Sequence, residues 1–330
     1  MDIKNRHALK QAASEALSGA PNEKKLIIAY TGVTIGLGIL LAVADSLLGK
    51  AASGSGGLSD LGRSSLVQAF QSVLPVVQLI FVTLLGMGYL RSMMNISRGQ
   101  SADLQTFAQT FRLLGPILRL EVLTGLIFGG ILFGCFYLGC TLYLLTPFAL
   151  PLIETLNTGS TVLSAESMVI TDEYLAAVMD HMLPMLGISM ALFAIVAMPL
   201  LYSYRLANYC LLDDPRAGAM ASLRWSKALM QNRRMELFKL DLSLWWYYAL
   251  DTAALLVSYI PMLLPLLGVS LPMSDTVSNY LFLGIYYALT FLIHVWLRNY
   301  CEVLYVKAYD RLRTPDAPPK PVILGNIFQM

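Results

Sequence analysis

The chain has 330 residues, of which 56% are hydrophobic and only 13% charged, with a formal net charge of +2. Soluble domains carry roughly a quarter charged residues, so this composition leaves too little polar surface to face water and makes a bilayer the expected solvent. A mean hydropathy of +0.62 agrees. The near-neutral total excludes little by itself; the placement of the charges along the chain is what informs.

The first 25 residues are polar and contain DIKNRHALKQAASEALSG, with Ile3, Leu9, Ala13 and Leu17 near one helical face. With no apolar stretch here no cleavable leader is expected, and the first apolar run is expected to direct insertion. A span needs about 20 apolar residues. Six runs qualify, at about 26–48, 66–90, 117–148, 182–204, 240–267 and 280–297. The third is long enough to hold an interfacial turn. The fold expected is therefore all-α and polytopic: a cytoplasmic amphipathic segment over 1–25, a six-helix transmembrane domain over 26–301 and a cytoplasmic Pro-rich tail over 302–330. Residues 49–62 read as a Gly/Ser linker, and a short surface helix fits near Thr171–Met179.

Basic residues set orientation. Of 23 Lys and Arg, 21 fall in the N-terminal segment, the second and fourth connections and the tail; only Lys50 and Arg63 fall in the others. The 149–181 connection has Glu154, Glu166, Asp172, Glu173 and Asp180 but no Lys or Arg. Both termini are expected in the cytoplasm.

Each pair of spans is preceded by an amphipathic segment. The second is SADLQTFAQTF, with Ser101 as N-cap and Leu104, Phe107 and Phe111 on one stripe. The third is PRAGAMASLRWSKALM, with Asp213 and Asp214 at the cap, Pro215 at the first helical position, and Ala219, Leu223, Ser226 and Met230 on one face. Arg216, Arg224 and Lys227 form the adjoining stripe, and Arg233 and Arg234 follow. Basic amphipathic helices of this kind contact an anionic inner leaflet. The three segments suggest a repeated surface helix and hairpin. ANYC at 207–210 and RNYC at 298–301 echo each other past the inner ends of two spans.

The stretch LLDDPRAGAMASLRWSKALMQNRRMELFKLDLSLWW, with LKQAASEAL near the N-terminus, resembles an uncharacterised bacterial family of multi-pass membrane proteins. Its pattern is met at Asp214–Pro215, Ser226–Lys227, Leu229–Met230, Arg234, Leu237–Ser243 and Trp245. The glycine usual between the Leu-Met pair and the basic residue is missing; Asn232 stands near that place. The resemblance implies a bacterial cytoplasmic membrane protein and no particular activity.

Asp251, about ten residues into the fifth run, is the sharpest candidate site. A carboxylate at mid-depth is costly unless paired, neutral or wet. His294 could face it, giving a proton or cation site; Thr252, Tyr247 or Tyr248 could instead hold it as a structural group. Trp245, Trp246, Tyr247 and Tyr248 read as an interfacial belt. Gly125/Gly129, Gly130/Gly134 and Gly32/Gly36 are small-residue pairs for close helix packing, with a homo-oligomer seam as the alternative. Pro184 and Pro199 in the fourth run, and Pro261 and Pro265 in the fifth, mark kinks or breaks of the kind transporters use.

No HExxH, Gly-x-Ser-x-Gly within a span, or phosphate loop is present, so no catalytic residue is assigned. The four cysteines, Cys135, Cys140, Cys210 and Cys301, have no ligand spacing, and neither metal nor cofactor is expected. His7 and His181 have no evident partner in sequence. The basic segments belong to a membrane face, so nucleic acid is not an expected partner. The leading expectation is a non-enzymatic scaffold or envelope-associated protein. The alternative is a small transporter or channel using Asp251.

Overall fold

The computed structural model describes residues 6–20, 23–52, 58–154, 172–266 and 274–313. These residues are almost wholly helical and contain no strand. In chain order the helices are α1 (Arg6–Ser18), α2 (Glu23–Ala52), α3 (Leu58–Ser97), α4 (Leu104–Gln109), α5 (Leu114–Leu144), α6 (Asp172–Tyr204), α7 (Ala207–Asp213), α8 (Gly218–Leu229), α9 (Arg234–Leu242), α10 (Trp245–Leu266), α11 (Asp275–Ile293) and α12 (Asn299–Leu312). Six of the helical stretches are long and apolar enough to cross a membrane. The protein is a multi-pass membrane protein.

Several boundaries differ from the sequence reading for local reasons. The fifth run does not start its helix at residue 240. The Ser243 N–H donates to the carbonyls of Lys239 and Leu240, and the Leu244 N–H to Asp241, so the chain turns and α10 begins afresh at Trp245. Asp251 is thus six residues into its helix, ~9 Å along the axis, and shallower than a start at 240 would place it. The third run breaks at Leu145–Thr146, where an interfacial turn was expected, and continues as a short 3₁₀ turn, Pro147–Ala149. Helix α4 starts at Leu104, which puts Asp103 rather than Ser101 at its N-cap position. Residues 172–179 belong to α6 and do not form a separate helix. Helices run through Pro75, Pro184, Pro199 and Pro261, so the fourth and fifth spans are not broken there.

The largest departure is at the C-terminal end. The tail was expected to start at 302, but α11 runs through a π-helical turn, His294–Arg298, into α12. Val303, Leu304, Val306, Ala308 and Tyr309 of α12 expose nothing. A helix buried nearly all round is core. Sealing one Leu or Val side chain is worth roughly 1.5–3 kcal/mol. The Pro-rich stretch beyond 313, residues 53–57 of the Gly/Ser linker and residues 155–171 lie outside the described residues; the rest of the linker, 49–52 and 58–62, continues α2 and α3 as helix instead of forming a flexible connection.

The chain divides into two compact units: Met1–Leu118 with Leu206–Met330, and Arg119–Arg205. In the first, α2 packs on α3 and α10 on α11, and α11 also touches α2. At the basic end of this group α12 packs against α1 and α3, and α7 against α3 and α8. Leu9 and Ala13 of α1 are fully buried, as the predicted face requires.

The second unit is the α5–α6 hairpin. A Cβ built on Gly139 would lie 2.8 Å from the Ser189 Cα and 2.9 Å from its N, so the helices cross at a point only glycine permits. A Cβ built on Gly125, Gly129, Gly130 or Gly134 would meet no atom of another described element within 4 Å. The predicted small-residue pairs therefore do not make the crossing. Beside it, the Tyr143 hydroxyl is 2.6 Å from His181 Nδ1, which supplies the partner that the sequence did not reveal. Tyr143, Ala149 and Leu152 form the hairpin's buried cluster.

Candidate functional site

The π turn brings four charged or titratable side chains into one line. His294 Nε2 lies 3.4 Å from Asp251 Oδ1, across the α10–α11 contact. The other ring nitrogen, Nδ1, is 3.4 Å from Arg298 Nη1. Since guanidinium only donates, Nδ1 accepts and Nε2–H points at the carboxylate. Arg298 Nε then stands 3.8 Å from Glu302 Oε1, one turn further on. Asp251 and His294, singled out separately in sequence, are thus brought together. The Asp251 side chain is 47% exposed and so is not sealed.

Arg298 is held from the far side by two stacked tyrosines. The ring centroids of Tyr30 and Tyr89 are 4.7 Å apart, and the guanidinium lies 4.7 Å from the Tyr30 centroid. Cation–π attraction of this kind offsets part of the cost of burying the charge. The Tyr89 hydroxyl donates to Asn299 Oδ1 at 2.5 Å, and Asn299 Nδ2 donates to the Glu23 carbonyl at 3.3 Å. Of the tyrosines proposed from sequence as holders of Asp251, Tyr248 is engaged elsewhere. The Tyr248 hydroxyl meets that of Tyr305 at 2.6 Å, and Tyr305 donates to Asp241.

The predicted apolar face of α8 is turned into the protein: Ala219, Leu223, Ser226 and Met230 are all buried. Arg216, Arg224, Lys227 and Arg234 are exposed and Arg233 half-buried. Met220, 52% exposed, stands between Arg216 and Arg224 at four-residue spacing. On α9, Leu237 and Leu240 are buried while Met235, Phe238 and Leu242 are exposed on one stripe that ends at exposed Trp245.

The basic end is tied together by Asp213, whose side chain is only 6% exposed. Arg98 Nη1 donates to Asp213 Oδ1 at 2.8 Å, the Tyr309 hydroxyl donates to Oδ2 at 2.6 Å, and Arg313 forms a third bond. Arg98 Nη2 also donates to Asp310 at 2.6 Å. Burial works against the Arg98 charge, but bonds and attraction from Asp310 and Asp213 outweigh it and raise its pKa above the ordinary value. Arg6 and Lys10 of α1 donate to the carbonyls of Lys239 and Ser243, at the C-terminal end of α9, where its dipole favours a cation. Lys307 donates to the Ser97 carbonyl at the end of α3. Sequence reasoning missed this layer because its charges looked like tail and topology signals. The ANYC/RNYC echo was the available clue: both tetrapeptides feed buried helices, α7 and α12, and Tyr209 stacks on Tyr309 at 5.5 Å.

Asn232 has φ of +61°, the left-handed region that costs most side chains about 1–2 kcal/mol. It ends the α8 segment, where glycine is the usual residue. No curated protein and no solved structure matches the chain. A family described as a protein of unknown function, DUF975, matches residues 1–315, nearly the whole length. The chain belongs to the DUF975 family.

Proposed function

We propose that the protein is a non-enzymatic scaffold of a bacterial cytoplasmic membrane. Six spans hold a helical layer at the inner face, both termini lie inside, and the layer contacts anionic lipid headgroups. The observation that carries this reading is the exposed apolar stripe Met235, Phe238, Leu242 and Trp245, flanked by Arg234 and continued by Met220 among Arg216, Arg224 and Lys227. Apolar side chains alternating with bases suit the headgroup region, where each Lys or Arg contributes about 1 kcal/mol with anionic lipid. Thermal unfolding in nanodiscs of phosphatidylcholine with and without phosphatidylglycerol tests it. Wild type should gain stability with the anionic lipid. A variant carrying Arg216→Gln, Arg224→Gln, Lys227→Gln and Arg234→Gln should lose that gain. An unchanged gain in the variant removes the reading. Orientation is tested separately with Glu154→Cys, which should react with an impermeant thiol reagent added outside.

A second reading, a small transporter or channel, is favoured by the Asp251–His294 pair at a π turn, since such turns interrupt regular helix bonding and frequently mark functional sites. Flux into proteoliposomes that is lost in Asp251→Asn would favour it over the scaffold.

A further inference from the structure

We propose that a recess between the start of α2 and the π turn binds the headgroup of a phospholipid carrying a primary ammonium. The recess is about 180 Å³ and opens at the surface. Its position follows from the fold: α2 begins the first apolar stretch at Glu23, and the π turn ends the last one at Arg298. Both lie where a bilayer's headgroups would be if these stretches cross it. This inference shares with the scaffold reading only the membrane, not the α8–α9 stripe.

The wall chemistry is zwitterionic. Glu23 offers a half-buried carboxylate and Lys24 an exposed ammonium, and among the described residues neither side chain makes a hydrogen bond or an ion pair. They can take the ammonium and the phosphate of one headgroup, with charge-assisted bonds to each. Trp296 is 76% exposed beside them, and Tyr300 also lines the recess. Aromatic faces favour a small cation within about 6 Å. Leu17 and Val295 supply the apolar flank that the first carbons below a phosphate need. The floor is fixed in advance: Asn299, 4% exposed, bonds to the Glu23 carbonyl and is itself held by Tyr89. A preorganised floor cuts the ordering cost of binding. A quaternary ammonium fills the same volume without N–H donors for Glu23, and a glycerol headgroup has no cation at all. Both should bind less well.

The test is lipid-dependent thermal stability of the detergent-solubilised full chain, with phosphatidylethanolamine, phosphatidylcholine or phosphatidylglycerol added in turn. Wild type should respond to the ethanolamine lipid at concentrations about tenfold below those needed with the choline lipid. Glu23→Gln should remove that preference, and Trp296→Ala should weaken the response to the ethanolamine and choline lipids alike. In the same samples the phosphatidylglycerol response should persist, which shows that the variants fold. Equal responses to ethanolamine and choline lipids would overturn the proposal, as would an ethanolamine preference surviving in Glu23→Gln. Loss of the phosphatidylglycerol response in the four-residue basic variant, with the ethanolamine preference kept, bears on the scaffold reading alone.

Discussion

At the basic end of the first unit, one nearly sealed carboxylate, Asp213, takes hydrogen bonds from Arg98, Tyr309 and Arg313 and so ties α3, α7 and the end of α12 together. In the α5–α6 hairpin the helices instead meet as bare surfaces. Gly139 lies against the Ser189 backbone, and the side-chain hydrogen bonds near the crossing are few and uncharged: the Ser189 hydroxyl donates to the Phe136 carbonyl at 3.4 Å, and the Tyr143 hydroxyl meets His181. Where water is available to compete, short helices need charged bonds and a buried core to stay in place. Between apolar helices the gain from packing is shape, and a missing Cβ is worth more than a charge. The same chain thus specifies its two units through different physics, and mutations should separate them.

The largest effect is expected at Asp213. Replacing it with Asn weakens three contacts around a buried group while Arg98 and Arg313 stay partly hydrated, so the loss should be about 2–3 kcal/mol. Hydrogen exchange should speed up in α12 and α7 and stay unchanged in α6. Gly139→Val should cost about 2 kcal/mol by forcing α5 and α6 apart, and should show the reverse pattern of exchange. Asn232→Val should cost about 1–2 kcal/mol in thermal unfolding, and Asn232→Gly should cost nothing or stabilise, because only the first is strained in the left-handed region. Tyr143→Phe removes one hydrogen bond and should cost about 1 kcal/mol, read as faster exchange confined to the hairpin. If Asp213→Asn also loosened α6, or Gly139→Val loosened α12, the two units would not be independent in the way the contrast requires.

The six apolar stretches were legible because a bilayer demands about 20 uninterrupted residues and the chain supplies them. The residues facing inward on α1 and α8 were legible too: Leu9, Ala13, Ala219, Leu223 and Met230 follow the helical period and are buried. Asn232 was noticed as standing near the family's glycine, and its positive φ gives the reason. What failed to show was pairing across the chain. Arg98, Asp213 and Arg313 are far apart in sequence, and Lys and Arg near spans read first as topology signals. The charges of α12 disguised a core helix as tail for the same reason. The glycine signal misled in a different way. Small-residue spacing is necessary for close crossing but does not choose the face, and the hairpin uses Gly139 rather than the Gly125 to Gly134 series. At the candidate site, Asp251 drew notice as a charge in an apolar run. The turn at Ser243–Leu244 that makes it shallower and the π turn that aims His294 at it are backbone events with no strong residue signature.

The headgroup contact of the basic layer is tested most directly by depth. With the four native cysteines replaced by alanine, a nitroxide placed at Met220→Cys in nanodiscs containing phosphatidylglycerol reports whether that position meets lipid. If the stripe lies at the interface, a relaxation agent carried on lipid headgroups should broaden the label's spectrum more than the same agent free in solution. Stronger broadening by the soluble agent, with no effect from the lipid-borne one, would place the basic face in open water and contradict it.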